Sequence, residues 1–272
     1  DLTRQEQSTV DGYATQLQNL KNALVWKPAD YTAVDNALKA IPDGDGGLIA
    51  VDVNYLNDRY TSSSVTNLMN AVNTANNNRG KDKSEQAVVD SYATAITNAR
   101  NALVPKTADY SYLGEALNTE PTYPQSYYTS ASWADYADAV SAGWVLYNNQ
   151  TLTIFQQQII NDATALINST RNALELKAVT YTVKYRTTGG TPLASDKVEN
   201  ATAADWITEY AIAITGYTQV QASQQKQMTG TNEDNVFIFQ YTINSYTVSF
   251  NANGGSAVSP ITQNYNTQVA AP

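Results

Sequence analysis

The chain has 272 residues, with 16 basic and 25 acidic side chains, no His, no Cys and 19 Tyr. Its length suits two or three domains, each large enough for a core of its own. The missing His and Cys exclude imidazole acid/base chemistry, Ser-His-Asp and Cys-His nucleophiles, thiolate zinc sites and disulfides, leaving only carboxylate or Lys/Tyr chemistry. A net charge of −9, with no basic run to offset it, repels phosphate backbones and anionic membranes, so nucleic acid is not an expected partner. No window of about 18 apolar residues would insert in a bilayer, and the opening DLTRQEQSTVDG lacks the plan of a signal peptide.

In chain order, the first element is a helix whose apolar residues Val10, Tyr13, Leu17, Leu20 and Leu24 step three, four, three, four. The same rhythm recurs at Val89, Tyr92, Ile96, Ala99 and Leu103, and again at Ile160, Ala163, Ile167, Thr170 and Leu174. These three helices belong to a repeat. A shift of 79 superposes Asn22-Ala-Leu-Val25 on Asn101-Ala-Leu-Val104 and Ala29-Asp-Tyr31 on Ala108-Asp-Tyr110, while a shift of 68 pairs Tyr60-Thr-Ser62 with Tyr128-Thr-Ser130. A shift of 71 then pairs Arg100-Asn-Ala-Leu103 with Arg171-Asn-Ala-Leu174. The second copy is therefore 11 residues shorter in its first loop and 3 longer in its second, the differences between these shifts. Loops absorb such changes and packed helices do not.

Each copy reads as a short helix starting near Asp30 or Asp109, a variable loop, a helix after Tyr-Thr-Ser and a long closing helix. Asp, Ser and Thr at these starts can cap free N–H groups. Trp133, Tyr136, Val140, Trp144 and Tyr147 form a further stripe, which predicts both tryptophans in the core. Residues 1–27 resemble the closing helix of a preceding, truncated copy, followed by copies at 28–104 and 105–177. The short, Pro-stiffened junctions Trp26-Lys-Pro28 and Val104-Pro-Lys106 predict modules stacked in a rod.

After about Lys177 the apolar period becomes two, in Tyr181-Thr-Val-Lys-Tyr185, Val236-Phe-Ile-Phe-Gln-Tyr241 and Tyr246-Thr-Val-Ser-Phe250. A shift of 65 pairs Tyr181-Thr-Val183 with Tyr246-Thr-Val248 and Gly189-Gly190 with Gly254-Gly255. A β domain thus spans 178–244 and a truncated second β module spans 245–272. An isolated hairpin is marginal in water, so this tail is expected to lie against the end of the preceding domain or to pair its open edge with another copy of the chain.

The segments KPADYTAVDNALKAI (27–41), YTSSSVTNLMNAV (60–72) and VVDSYATAITNARNAL (88–103) resemble the FIVAR module. That family recurs in large Gram-positive surface proteins and beside catalytic domains of secreted carbohydrate-active enzymes, and sugar binding has been proposed for it. YTVKYRTTGGTPLA (181–194), WITEYAIAITGY (206–217) and GTNEDNVFIFQY (230–241) look like a mucin-binding-protein (MucBP) repeat, which implies a β-grasp-like adhesin domain. YTVSFNANGGSAVSP (246–260) resembles the start of a Listeria-Bacteroides (internalin-type) repeat. The low charge density, with abundant Asn, Thr, Ser, Ala and Tyr, suits the same cell-surface setting.

Candidate sites are few. Asp43 and Asp45 have calcium-loop spacing, but Gly47 and Leu48 stand where an EF-hand wants an oxygen ligand and Gly, so an ordinary turn is preferred. Gly189-Gly190 and Gly254-Gly255 are hairpin glycines rather than phosphate cradles. Asp135 with Asp138, or Glu115 with Glu120, could form a glycosidase pair, but their positions read as solvated helix faces. The sequons at Asn149, Asn168 and Asn200 read as coincidence in so Asn- and Thr-rich a chain. The aromatic surplus is more informative, because Tyr and Trp faces stack on sugar rings while their polar edges bond hydroxyls. Tyr123, Tyr127 and Tyr128 lie together in a loop outside the periodic stripes, and packing against the bundle end competes with ligand binding there.

The expectation is an α+β multidomain chain: tandem helical-bundle repeats forming a rod, a small β-grasp-like domain and a partial second β module. It implies a non-catalytic region of a secreted, cell-surface bacterial protein, monomeric, without cofactor or metal, acting as stalk and adhesin-type binder of glycans or host glycoproteins such as mucins. The alternatives are an accessory tail of a large secreted glycan-degrading enzyme and a purely mechanical spacer.

Overall fold

The computed structural model describes residues 3–4, 6–41 and 52–270. Asp43, Asp45, Gly47 and Leu48 of the candidate calcium loop lie outside the described residues. The chain is α+β, helical to about residue 177 and β beyond it, and it divides into two compact units. One holds residues 1–109 and 150–158, the other residues 110–149 and 159–272.

The first unit contains α1 (Gln7–Asn22), α2 (Thr32–Lys39), α3 (Val53–Arg59), α4 (Ser62–Asn77) and α5 (Gln86–Asn101). Helix α5 packs against α2 and α4, burying Val89 and Ile96 of the periodic stripe against Val34, Leu68 and Ala75. Each such fully buried aliphatic side chain contributes about 1.5–3 kcal/mol. The start of α2 is held by a clasp: the Gln86 amide accepts from the Asp30 N–H at 2.7 Å and donates to the Asp30 carbonyl at 2.9 Å. Gln157 clasps Asp109 in the same way, at 2.6 and 2.8 Å. The Asp30 carboxylate also accepts the Thr32 N–H, and hydrogen bonds from the Thr32 side chain and N–H hold that carboxyl below the usual range.

Helix α3 was not expected from the sequence. It is one of the features that lengthen the first copy, capped by Asp52, whose carboxylate accepts the Asn54 and Tyr55 N–H groups, and it buries Leu56. Helix α1 departs from expectation in the opposite sense. Its stripe faces solvent, with Tyr13, Leu17, Leu20 and Leu24 all about two-thirds exposed or more.

Residues 104–108 join the two copies in a distinctive way. The Thr61 N–H donates to the Val104 carbonyl and the Lys106 N–H to the Arg59 carbonyl, both at 2.8 Å. On the other side the Ile154 N–H donates to the Lys106 carbonyl and the Ala108 N–H to the Leu152 carbonyl, both at 2.9 Å. The linker is stapled on two sides, and the Tyr60 and Phe155 rings meet edge to face over it at 5.6 Å.

In the second unit α6 (Ser111–Asn118), α7 (Ser130–Asn149) and most of α8 (Gln157–Asn172) repeat the three-helix arrangement. The packing face of α7 is built from Ala139 and Gly143 as well as aromatics. A Cβ on Gly143 would lie 2.6 Å from the Ile167 side chain, so the absent side chain lets α8 approach. Trp133 is half-buried, but Trp144 is 37% exposed, contrary to the expectation that both are core. The inward positions belong to small residues that a search for large apolar side chains passes over.

The β part begins with β1 (Ala178–Thr187), β2 (Lys197–Thr202), β3 (Trp206–Tyr210) and β4 (Tyr217–Gln219), followed by β5 (Ser223–Gln227) and β6 (Val236–Ile243). The sheet order is β2-β1-β6-β4, with β1 and β6 parallel and the outer pairings antiparallel. Alternation places Val179, Tyr181, Val183 and Tyr185 on the same buried face as Phe237, Phe239 and Tyr241. Residues 178–244 contain no α-helix; the antiparallel ribbon β3–β5, carrying Ile207 and Glu209 and followed by Met228, covers this face. Trp206, Ile207, Thr208 and Tyr210 give the first strand of this ribbon its β character, and the Gln-rich second strand has no helical apolar period. Asn235, fully buried, binds the start of β6 to the loop that precedes it: its amide oxygen accepts from the Thr229 N–H at 2.8 Å and its NH₂ donates to the Thr229 carbonyl at 3.1 Å.

The tail forms an antiparallel hairpin, β7 (Ser245–Val248) and β8 (Ile261–Asn264), that lies against the end of the β domain. The Asn244 N–H donates to the Gly216 carbonyl at 2.9 Å. The Tyr265 ring rests on Gly216, where φ is +80° and a Cβ would fall 2.0 Å from the ring. Both the turn conformation and the close approach call for glycine.

Candidate glycan-binding surface

Residues 119–129 run from α6 into α7 and give the three candidate tyrosines different settings. Tyr128 is buried, its hydroxyl accepting the Tyr123 N–H at 3.1 Å. Tyr123 and Tyr127 are half-buried, and their rings stack with centroids 5.3 Å apart and 7° between planes. Tyr127 also packs against the β core, and the Lys177 N–H donates to its carbonyl at 3.0 Å. Gly230 presses backbone to backbone on the same loop: a Cβ there would meet the Ser126 carbonyl oxygen at 1.9 Å. Tyr127 thus serves as a joint between helices and sheet.

Tyr128 separates two open hollows. The larger, about 1000 Å³, is lined by Tyr128, Trp133 and Pro124 together with Gln125, Ser126, Thr129, Ser130 and Lys177. The smaller, about 420 Å³, is lined by Glu120, Tyr123, Asn172 and Arg171. Arg171 is held in place by donating to the Ala116 and Thr119 carbonyls at 3.0 and 2.9 Å, which also satisfies the end of α6. Trp133 stacks on Tyr128 at 5.9 Å and meets Tyr136 edge to face at 5.5 Å. Apolar rings with hydroxyl, amide and ammonium groups at their edge can take a sugar face and its hydroxyls. Sequence reasoning assigned Trp133 to the core and passed over Lys177 and Arg171. Trp133 could have been found as the end of its helical stripe, next to the loop.

Among the described residues no cluster of three or more metal-ligating side chains occurs, and no helix is long and apolar enough to cross a membrane. Asp135, Asp138, Glu115 and Glu120 are all exposed.

A second polar cluster lies inside the β domain. The Glu209 carboxylate accepts from the Tyr181 hydroxyl at 2.7 Å and from the Lys197 ammonium at 2.8 Å. Burial by itself would raise Glu209, but the hydrogen bonds from Lys197 and Tyr181 outweigh it and hold the carboxyl below its usual range. Burial, followed by the bond to Glu209, pushes the Tyr181 phenol up to about 12. The Glu209 bond also raises Lys197. A lowered carboxylate stabilises the fold above its unfolded pKa and is lost as pH falls through the folded value; a raised phenol stabilises below about 10 and is lost as pH rises through the folded value. The β domain is therefore expected to melt at a constant temperature from about pH 5 to 10, with losses below and above that window. Glu209→Gln should weaken the acid dependence and move one phenol of the alkaline absorbance titration down from about 12. An unchanged titration would show that the bond does not hold the phenol.

No family model matches the sequence, and no curated protein matches it. Among solved structures, the crystal structure of a MucBP domain from a Lactobacillus acidophilus protein is similar at 16% identity, covering 25% of this chain and 92% of that one, with a TM-score of 0.18.

Proposed function

We propose that the chain is a non-catalytic region of a secreted bacterial cell-surface protein, in which FIVAR-like helical modules carry a MucBP-like, β-grasp-related domain and a glycan is bound where the two meet. The supporting observation is the larger hollow, where half-buried Trp133, backed by the buried Tyr128 ring, lies beside Ser126, Thr129, Ser130 and Lys177. Tyr123 and Tyr127 shape the adjoining loop. Binding would be weak and metal-free, with a dissociation constant in the millimolar range, about −4 kcal/mol.

Titrating glycans, mucin-type oligosaccharides included, should change tryptophan fluorescence saturably. Trp133→Ala should remove the change, and a chelator should leave it unaltered. A blank glycan array and a flat titration would favour the mechanical spacer, which the doubly stapled linker independently supports. Chelator-sensitive binding would replace the metal-free reading.

A further inference from the structure

The exposed stripe of α1 and the three residues after Leu24 form one surface with two independent signs of a missing neighbour. First, the stripe has the spacing of α5 and α8, whose Val89, Ile96, Ile160 and Ile167 are buried, yet Tyr13 is 66%, Leu17 69% and Leu20 67% exposed. Second, residues 25–27 make only half of a junction. At the equivalent positions after α5, Val104 accepts from Thr61 and Lys106 donates to Arg59; after α8, Glu175 accepts from Thr129 and Lys177 donates to Tyr127. Among the described residues, the Val25 carbonyl and Lys27 N–H have no such bonds. The opposite side is made, with the Lys83 N–H donating to the Lys27 carbonyl at 2.7 Å and the Ala29 N–H to the Lys81 carbonyl at 3.0 Å. Trp26, 65% exposed, stands where Pro105 bridges Tyr60 and Leu176 bridges Tyr128, beside an apolar hollow of about 540 Å³ shared with Leu24 and Val25.

We propose that α1 and residues 25–27 are a docking surface for a helix pair of the α2–α4 kind, presented ahead of α1 as α2 and α4 stand ahead of α5. The second helix of that pair would open with a Tyr-Thr-Ser sequence whose tyrosine meets Trp26 and whose threonine N–H reaches the Val25 carbonyl. The repeat identifies the occupant, because both filled junctions use this arrangement. A second copy of the chain cannot supply it, since its own pairs are engaged. The proposal does not depend on glycan binding.

The test fuses a duplicate of residues 28–79 directly ahead of Asp1 of the full chain, which keeps the 79-residue register. Hydrogen exchange of the α1 and Lys27 amides should slow by at least about 30-fold, and Trp26 emission should shift to shorter wavelength. Leu17→Asp with Leu20→Asp in the extended chain should restore the exchange rates of the unextended one. Exchange in α1 that stays as fast as in the unextended chain overturns the proposal, whether or not the duplicate forms helices. So does protection of α1 in the unextended chain by self-association in sedimentation experiments, or by phosphatidylcholine vesicles.

Discussion

Replacing Asn235 by leucine is expected to destabilise the β domain by about 2–5 kcal/mol, seen as a lower urea midpoint with an unchanged slope. The side chain is fully buried and spans two segments. Its oxygen accepts from the Thr229 N–H and hydroxyl, at 2.8 and 3.2 Å, and its nitrogen donates to the Thr229 carbonyl at 3.1 Å. Leucine has similar volume but satisfies none of these groups, leaving the part-buried Thr229 N–H and carbonyl unpaired, at up to about 1–3 kcal/mol each. Asn235→Asp keeps the acceptors and loses the donor, so it should fall between. A leucine variant as stable as the parent would show that water replaces the lost bonds.

Gly230→Val should have its main effect at the junction between helices and sheet. The hydrogen that glycine places against the Ser126 carbonyl becomes a carbon with room for neither itself nor its branches, and the opposing atoms are backbone rather than a flexible side chain. One of the two loops must move, at a cost of about 1–3 kcal/mol or more. The Lys177 N–H bond to Tyr127 lies beside the displaced atoms, so its amide should exchange faster while the Val183 and Phe239 amides in the sheet centre keep their protection relative to global unfolding. Uniform acceleration would mean that the junction and the sheet open as one unit.

The helical part was legible because periodicity reports burial directly. Val89, Ile96, Ile160 and Ile167 lie where their spacing puts them. What periodicity cannot report is whether a covering surface is present, and α1 shows the difference, with the same stripe and no buried residue. Helix α3 escaped because seven residues around a single buried leucine carry almost no periodic signal, although Asp52 marked its start. The small-residue face of α7 escaped because Gly143 and Ala139 contribute through close approach rather than apolar area. In the β part the strands were readable from alternation. Their cover was not, since a ribbon with partly buried Gln224, Lys226 and Gln227, joined to the core through Glu209, has no strongly apolar face.

The loop tyrosines show how a site reading reaches its limit. Clustering in sequence was visible, but the division among a buried wall at Tyr128, a joint at Tyr127 and the stacked Tyr123 depends on long-range contacts with residues 176–177 and the β core. Trp133 and Lys177, more than forty positions apart in the sequence, line the same hollow only because α7 and the start of β1 converge on that loop.

Lys106 uses its N–H for one copy and its carbonyl for the next, and Lys177 does the same between α8 and the sheet, donating to Tyr127 and accepting from Ala203. A boundary drawn at either lysine therefore cuts through a hydrogen-bonded residue that belongs to both neighbours. The segment that can be copied, lost or exchanged without leaving torn backbone bonds is offset from the segment that forms a core. A recombinant joined at either lysine would carry half of each junction.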